Sequence, residues 1–345
     1  MEQPIFSPSF DLLISKLVDF VKTHIGLVLS AVAFLLASCA GPQTHRLQTQ
    51  WPDAPETFLI KDVPFFPQTA YQCGPAALAT ILNYRGHAVT PDALKSILYI
   101  PDKKGSLQIE ITAAARRYGM LTYPITGSLN GLIHEVSEGN PVLVMQNLGL
   151  DWLPRWHFAV VVGYEKNNRT FILRSGTHPS RRTAFSAFEN TWRRAQNWGL
   201  VIVSPAQQPP ATAHMHAYLK AAHALEKTGQ VDAAQTAYET ATKTWAETPL
   251  TWLILGNAHY QNRAFQDAET AYRQAIAADA RSSPAWNNLA NAFARQGCHE
   301  PAAQAAQCAI ALAPDNQQYR QTLTKLTMPP KAALSCIPPP TCPTH

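Results

Sequence analysis

Apolar positions change their period along the chain. Residues 75–84 carry apolar side chains at helical spacing and stop near Gly86; 106–118 and 128–138 repeat that spacing, the second ending at Gly139-Asn140-Pro141. Runs rich in β-branched residues at 57–66, 142–145, 158–164, 170–173 and 200–203 predict strands, and Glu165-Lys166-Asn167-Asn168-Arg169 predicts the turn of a hairpin. A short helix is expected over 186–194. Helices ahead of an antiparallel sheet make 57–204 an α+β domain. Past Pro205 the pattern becomes Ala-rich and helical, and the Pro-containing stretch 205–212 is expected to be a linker.

The second half, 213–327, repeats itself. Tyr218, Trp252 and Trp286 stand 34 residues apart, and the same step relates Ala234, Ala268 and Ala302, then Ala241, Ala275 and Ala309. A large aromatic alternating with small residues suits helix pairs, the ring filling the gap and the alanines allowing close approach. Gly229 and Gly297 fall where the turn inside a pair needs a permissive backbone. The period and its residues resemble the tetratricopeptide repeat, which implies a stack offering a concave face to a peptide or protein partner. The Pro-rich end, 328–345, is expected to be poorly ordered.

Before the first domain, residues 25–36 are uninterruptedly apolar or small, the length of a signal-peptide core and too short to span a bilayer comfortably. Lys16, Lys22 and His24 precede this run and Leu36-Ala37-Ser38-Cys39 follows it. That junction resembles a bacterial lipobox. The resemblance implies a signal peptide over 1–38, a lipid on Cys39, a tether over 39–56 and attachment to a membrane surface. Ala40 after the cysteine implies the outer membrane, with the chain facing the periplasm.

Composition adds exclusions. A chain of 345 residues that is 46% hydrophobic is neither disordered throughout nor a single small module. The net charge of +5 is spread without a Lys/Arg block, so nucleic acid is not expected as a partner. No Cys/His spacing fits a metal site and no Gly-rich loop fits a phosphate, so neither metal nor cofactor is expected.

The chemistry concentrates in Pro67-Gln68-Thr69-Ala70-Tyr71-Gln72-Cys73-Gly74-Pro75. Cys73 stands where a helix begins, and unpaired N–H groups with the positive dipole end favour a thiolate there. Gly74 keeps the approach to the sulfur open, and Pro75 suits the first turn. His157 opens the run Trp156-His157-Phe158-Ala159-Val160-Val161-Val162-Gly163-Tyr164, where a strand would hold an imidazole rigidly at a cleft. Gln68, five residues before Cys73, can donate to a developing oxyanion beside the Cys73 N–H.

The Gln68-x4-Cys73-Gly74-Pro75 block and the later His157 strand resemble the papain-fold cysteine peptidases of the bacteriocin-processing, double-glycine leader peptidase family. The resemblance spans about 62–204. It implies an α+β papain-like cysteine peptidase domain followed by the all-α tetratricopeptide-repeat domain. It also implies Cys73 as nucleophile, His157 as base and then acid, and Gln68 as oxyanion donor, acting on a peptide or protein. Two departures stand out. Where the family carries an Asp or Asn to orient the histidine, this chain has Leu173-Arg174-Ser175-Gly176, leaving Ser175, another group or none. No transporter or ATP-binding module accompanies the domain, so the double-glycine preference does not transfer. Besides the peptidase, two alternatives stay open: an inactive peptide-binding scaffold, motivated by the missing carboxylate, and acyl transfer to an amine. Cys298 and Cys308, ten residues apart on one helix, lie about 15 Å from each other, too far to bond. Cys336 and Cys342 can pair together or with the repeat.

Overall fold

A computed structural model of the chain describes residues 41–67, 72–100, 105–326 and 336–343. The leader over 1–38, Cys39 and Gln68 lie outside the described residues. The order of elements is α1 (Pro42–Thr49), β1 (Thr57–Leu59), α2 (Cys73–Tyr84), α3 (Pro91–Leu98), α4 (Gln108–Arg117), β2 (Leu121–Pro124), α5 (Leu129–Ser137), β3 (Val142–Asn147), β4 (Trp156–Glu165), β5 (Thr170–Ser175), β6 (His178–Ala184), α6 (Phe185–Arg193) and β7 (Gly199–Val203). The helices α7 (Met215–Lys227), α8 (Val231–Thr244), α9 (Pro249–Gln261), α10 (Phe265–Ala278), α11 (Ser283–Arg295), α12 (His299–Leu312) and α13 (Gln317–Leu326) follow. A mixed α/β domain followed by an all-α repeat region is therefore the architecture.

The sheet is antiparallel, ordered β2-β7-β3-β4-β5-β6, with β1 also on β4. Strand β4 is shared. Its first half pairs with β3, from Trp156 opposite Asn147 to Val161 opposite Val142. Its second half meets β1 along the same edge, with Leu59 opposite Gly163. A Cβ on Gly163 would stand 2.6 Å from the Phe58 carbonyl oxygen, so only glycine lets β1 approach. Strand β1 is shorter than the 57–66 expected, because the chain turns at Lys61-Asp62, where Asp62 has φ of 60° and leaves the ladder. The sequence pattern also passes over β6, whose residues HPSRRTA are exposed almost throughout; an edge strand held by backbone bonds to β5 needs no apolar face.

Two buried carboxylates fix the ends of this domain. Glu189 of α6, 1% exposed, accepts the backbone N–H groups of Gln43 and Thr44 at 3.0 and 2.7 Å and the Thr44 hydroxyl at 2.6 Å. A carboxylate against the N–H groups opening α1 is favoured by their unmet donors and by the helix dipole. Part of the expected tether is thus a docked helix, with Leu47 buried beneath it. Glu135 of α5 does the same for the expected linker, accepting Ala211 N–H, Thr212 N–H and the Thr212 hydroxyl at 3.2, 2.8 and 2.6 Å. One hydrophobic cluster consequently runs from the sheet into the first helices of the repeats.

The 34-residue step is visible in the packing. Ala234, Ala268, Ala302, Ala241, Ala275 and Ala309 are fully buried. The Trp252 and Trp286 indoles each donate to the carbonyl six residues earlier, Ala246 and Ala280, at 2.8 Å. Gly229 and Gly297 have φ of 81° and 80°, and Arg263, one step between them, has φ of 62°. The tail is not loose over its described part. Cys336 bonds Cys298 and Cys342 bonds Cys308. Between them Arg273 of α10 donates to the carbonyls of Ile337 and Pro338 at 3.0 and 2.9 Å. The prolines suit such an extended strap.

Two outcomes are expected. Arg263→Gly relieves a left-handed backbone that costs a side-chain-bearing residue about 1 kcal/mol, raising the denaturant midpoint of the repeats. Replacing Cys336 and Cys342 by Ser opens loops of 38 and 34 residues, each worth about 4 kcal/mol alone in the chain-entropy account, and lowers that midpoint. An unchanged midpoint in urea would refute either.

Candidate active site

Cys73 is the first residue of α2, as its position before Pro75 predicts. The helix itself is buried from Gly74 to Leu82 and packs against β4, which fixes where its N-terminus falls. The Cys73 sulfur there faces the backbone N–H groups of Phe158, Gly74 and Cys73 itself. Phe158 directly follows His157 on β4, so the start of α2 faces the strand that carries His157. Gly74 has a different role from the open approach expected of it. A Cβ there would lie 2.6 Å from the Ser106 hydroxyl, so the glycine lets the segment before α4 close over the start of α2. The Ser106 hydroxyl is buried and has no hydrogen-bond partner among the described residues.

His157 is held from the far side of its ring. Its Nε2 lies 2.8 Å from the Oγ of Ser175, the last residue of β5, which is 3% exposed. The hydroxyl stands at the place the sequence left without a carboxylate. With Nε2 engaged, Nδ1 is the ring nitrogen left for other chemistry. Gln146, opposite His157 on β3, donates to Thr191 of α6 at 2.6 Å and does not enter the pair.

The electrostatics differ from the expected thiolate. Burial pushes the Cys73 thiol above its ordinary value, against the three N–H groups that pull it down. Burial, with the Arg181 charge second, pulls His157 down to about 4. Both shifts favour the uncharged forms, a thiol and a neutral imidazole. The helix terminus contributes as expected, but partial removal from water outweighs it.

A second surface lies on the repeats. Asn257, Tyr260 and Gln261 of α9, Tyr272 of α10, and Asn288 and Asn291 of α11 line a groove of about 320 Å³. Tyr272 and Asn288 both donate to the Asn257 amide oxygen, at 2.9 and 2.8 Å. The lining is amide and phenol, without a charged residue. No group of three or more His, Cys, Asp or Glu suited to a metal occurs among the described residues, and no helix among them is long and apolar enough to cross a membrane.

Residues 60–199 match the Peptidase_C39 like family, and 219–283 and 255–317 match the tetratricopeptide repeat. The chain thus carries a C39-like peptidase domain fused to tetratricopeptide repeats. Among solved structures, a C39-like peptidase from Bacillus anthracis is 17% identical, over 43% of this chain and 98% of its own, with a TM-score of 0.37. The second TPR domain of the human RPAP3 protein, solved with an HSP70 peptide, is 22% identical over 33% of this chain and 97% of its own, with a TM-score of 0.32. No protein of curated function matches significantly.

The resting state of the pair is open to direct measurement. Alkylation of Cys73 by iodoacetamide is expected to accelerate steadily from pH 6 past pH 9, as for a thiol whose titration is raised. A rate already on a plateau at pH 6 would show a thiolate–imidazolium pair instead.

Proposed function

We propose that the protein is a membrane-anchored thiol peptidase that cleaves a peptide or protein through an acyl-enzyme, with its repeats recruiting substrate or partner. The observation that carries this reading is the seating of the Cys73 sulfur against the N–H that follows His157, while Ser175 holds that histidine's ring. In this reading His157 Nδ1 takes the thiol proton as sulfur attacks the scissile carbonyl carbon. The oxyanion that forms accepts from the Cys73 N–H and from Gln68. His157 returns the proton to the leaving amine, and the C–N bond breaks. Water, deprotonated by the same nitrogen, then attacks the thioester and releases the carboxylic acid. Ser175 is a positioning residue, doing with a hydroxyl what an Asp or Asn does in the resembling family.

The anchoring half rests on the lipobox resemblance at Cys39, with signal peptide 1–38. Two disulfides in the repeats support an oxidising compartment such as the periplasm, since the cytosol keeps thiols reduced. The amide-lined groove supports recruitment of an extended segment through its backbone, because Asn side chains both donate and accept. A second reading is favoured by the neutral resting pair: a peptide-binding scaffold without turnover.

The experiment is a peptide-library digest by the full chain. Cys73→Ala is expected to abolish cleavage, and His157→Ala to lower kcat at least about 100-fold, the share a general base supplies. Because His157 is neutral above about pH 4, the acid limb of kcat/KM belongs near 4. Arg181→Gln removes a positive neighbour, raises the imidazole and moves that limb to higher pH. Cleavage surviving Cys73→Ala overturns the mechanism; no cleavage of any library member leaves the scaffold.

A further inference from the structure

The connection from β3 to β4 is a tight spur beside the candidate site, and its outer surface is apolar. Leu150, Trp152, Leu153 and Trp156 are all exposed, Trp152 at 78%. The exposure is not that of a slack loop. Leu148 N–H donates to the Arg155 carbonyl at 2.9 Å, and Leu150 and Leu153 exchange both backbone bonds at 3.2 Å. The Asn147 side chain fills the base, accepting from Gly149 and Arg155 N–H at 2.9 Å each and donating to the Leu150 carbonyl at 3.3 Å. The base of the spur is closed by these bonds while its indoles and leucines are exposed. That combination suits seating at a boundary between water and an apolar phase, where an indole is favoured. It does not suit a peptide adding a strand, which needs free backbone groups.

The spur and the start of the described chain are fixed to the same helix. Arg194, the residue capping α6, donates to the Asn147 carbonyl at 2.9 Å, and Glu189 in that helix holds Gln43 and Thr44. Cys39 is two residues before Gly41, which packs directly against the Glu189 carboxylate. Two residues reach about 7 Å at most, so covalent geometry bounds the attachment point of a lipid on Cys39 to within that distance of Gly41. Tryptophan and leucine with Asp151 and Arg155 in the same nine residues fit the headgroup–acyl boundary and not the hydrocarbon centre.

We infer that the spur is a membrane-contact element: Trp152, with Leu150, Leu153 and Trp156, seats in the interface of the bilayer that Cys39 anchors to, holding the Cys73–His157 site at the lipid surface. The inference rests on the anchoring half of the proposed function.

The test uses the acylated full chain reconstituted into phosphatidylethanolamine/phosphatidylglycerol vesicles containing a brominated lipid. Tryptophan emission is expected to be quenched, and Trp152→Phe with Trp156→Phe is expected to remove more than half of that quenching. Trp152→Asp is expected to restore acrylamide access to Trp156 at least twofold while leaving Cys73 alkylation unchanged. Quenching that is the same in wild type and double variant overturns the inference. So does a Trp152→Phe variant with unchanged quenching but a raised KM for soluble peptides, which would assign the spur to substrate. Mass spectrometry of the same sample separates the two layers: an unmodified Cys39 overturns the anchoring and the inference with it, whereas an acylated Cys39 with unquenched Trp152 overturns the spur alone.

Discussion

The candidate site depends on the seating of one helix end against one strand. Strand β4 pairs with β1, β3 and β5, so its position is determined from both edges. The apolar face of α2 is buried against it, which leaves the α2 N-terminus no freedom to slide. A shift by one residue in either element would exchange Cys73 or His157 for a neighbour pointing elsewhere, because strand side chains alternate faces. Core packing at a distance thus sets where the Cys73 sulfur falls along the strand that carries His157.

The same logic extends to the chain's connections. A tether and a linker chosen only for flexibility would need no buried acid. Here Glu189 and Glu135 each spend a carboxylate, placed where water is excluded, on the backbone of such a segment. A buried carboxylate without partners would be strongly unfavourable, so three donors at Glu189 and four at Glu135, the Asn140 amide among them, are what permit it. The result is a hydrophobic cluster shared between the sheet and the first helices of the repeats.

What the sequence revealed follows from which forces leave a periodic trace. The repeats were legible to the residue, because Ala234, Ala268 and Ala302 answer the same packing demand three times. Cys73 at the start of a helix and His157 on a strand were legible from local chemistry. Helix α1 was not, since Glu189 that stabilises it lies 145 residues away from Thr44. Strand β6 was not, since an exposed edge carries no apolar alternation. Ser175 was legible only as one candidate among several, because a serine has no distinctive spacing; its 2.8 Å contact with His157 singles it out. The strap at 336–343 was hidden by composition, prolines signalling disorder where two disulfides and Arg273 impose order.

The neutral thiol then acquires a reason. Among the described residues Cys73 is the free cysteine, the other four being bonded in pairs. An environment that keeps those pairs oxidised also oxidises exposed thiolates, since the thiolate is the form that reacts with oxidants and disulfides. Burial raises the Cys73 thiol and lowers His157, both in the direction that disfavours the reactive thiolate. The cost is a weaker resting nucleophile. In the proposed reading, the helix-terminal N–H groups and the neutral imidazole offset part of that cost when a carbonyl arrives, because the proton can leave as the new bond forms. A pair poised as ions would react sooner with substrate but would be exposed to oxidation throughout its lifetime.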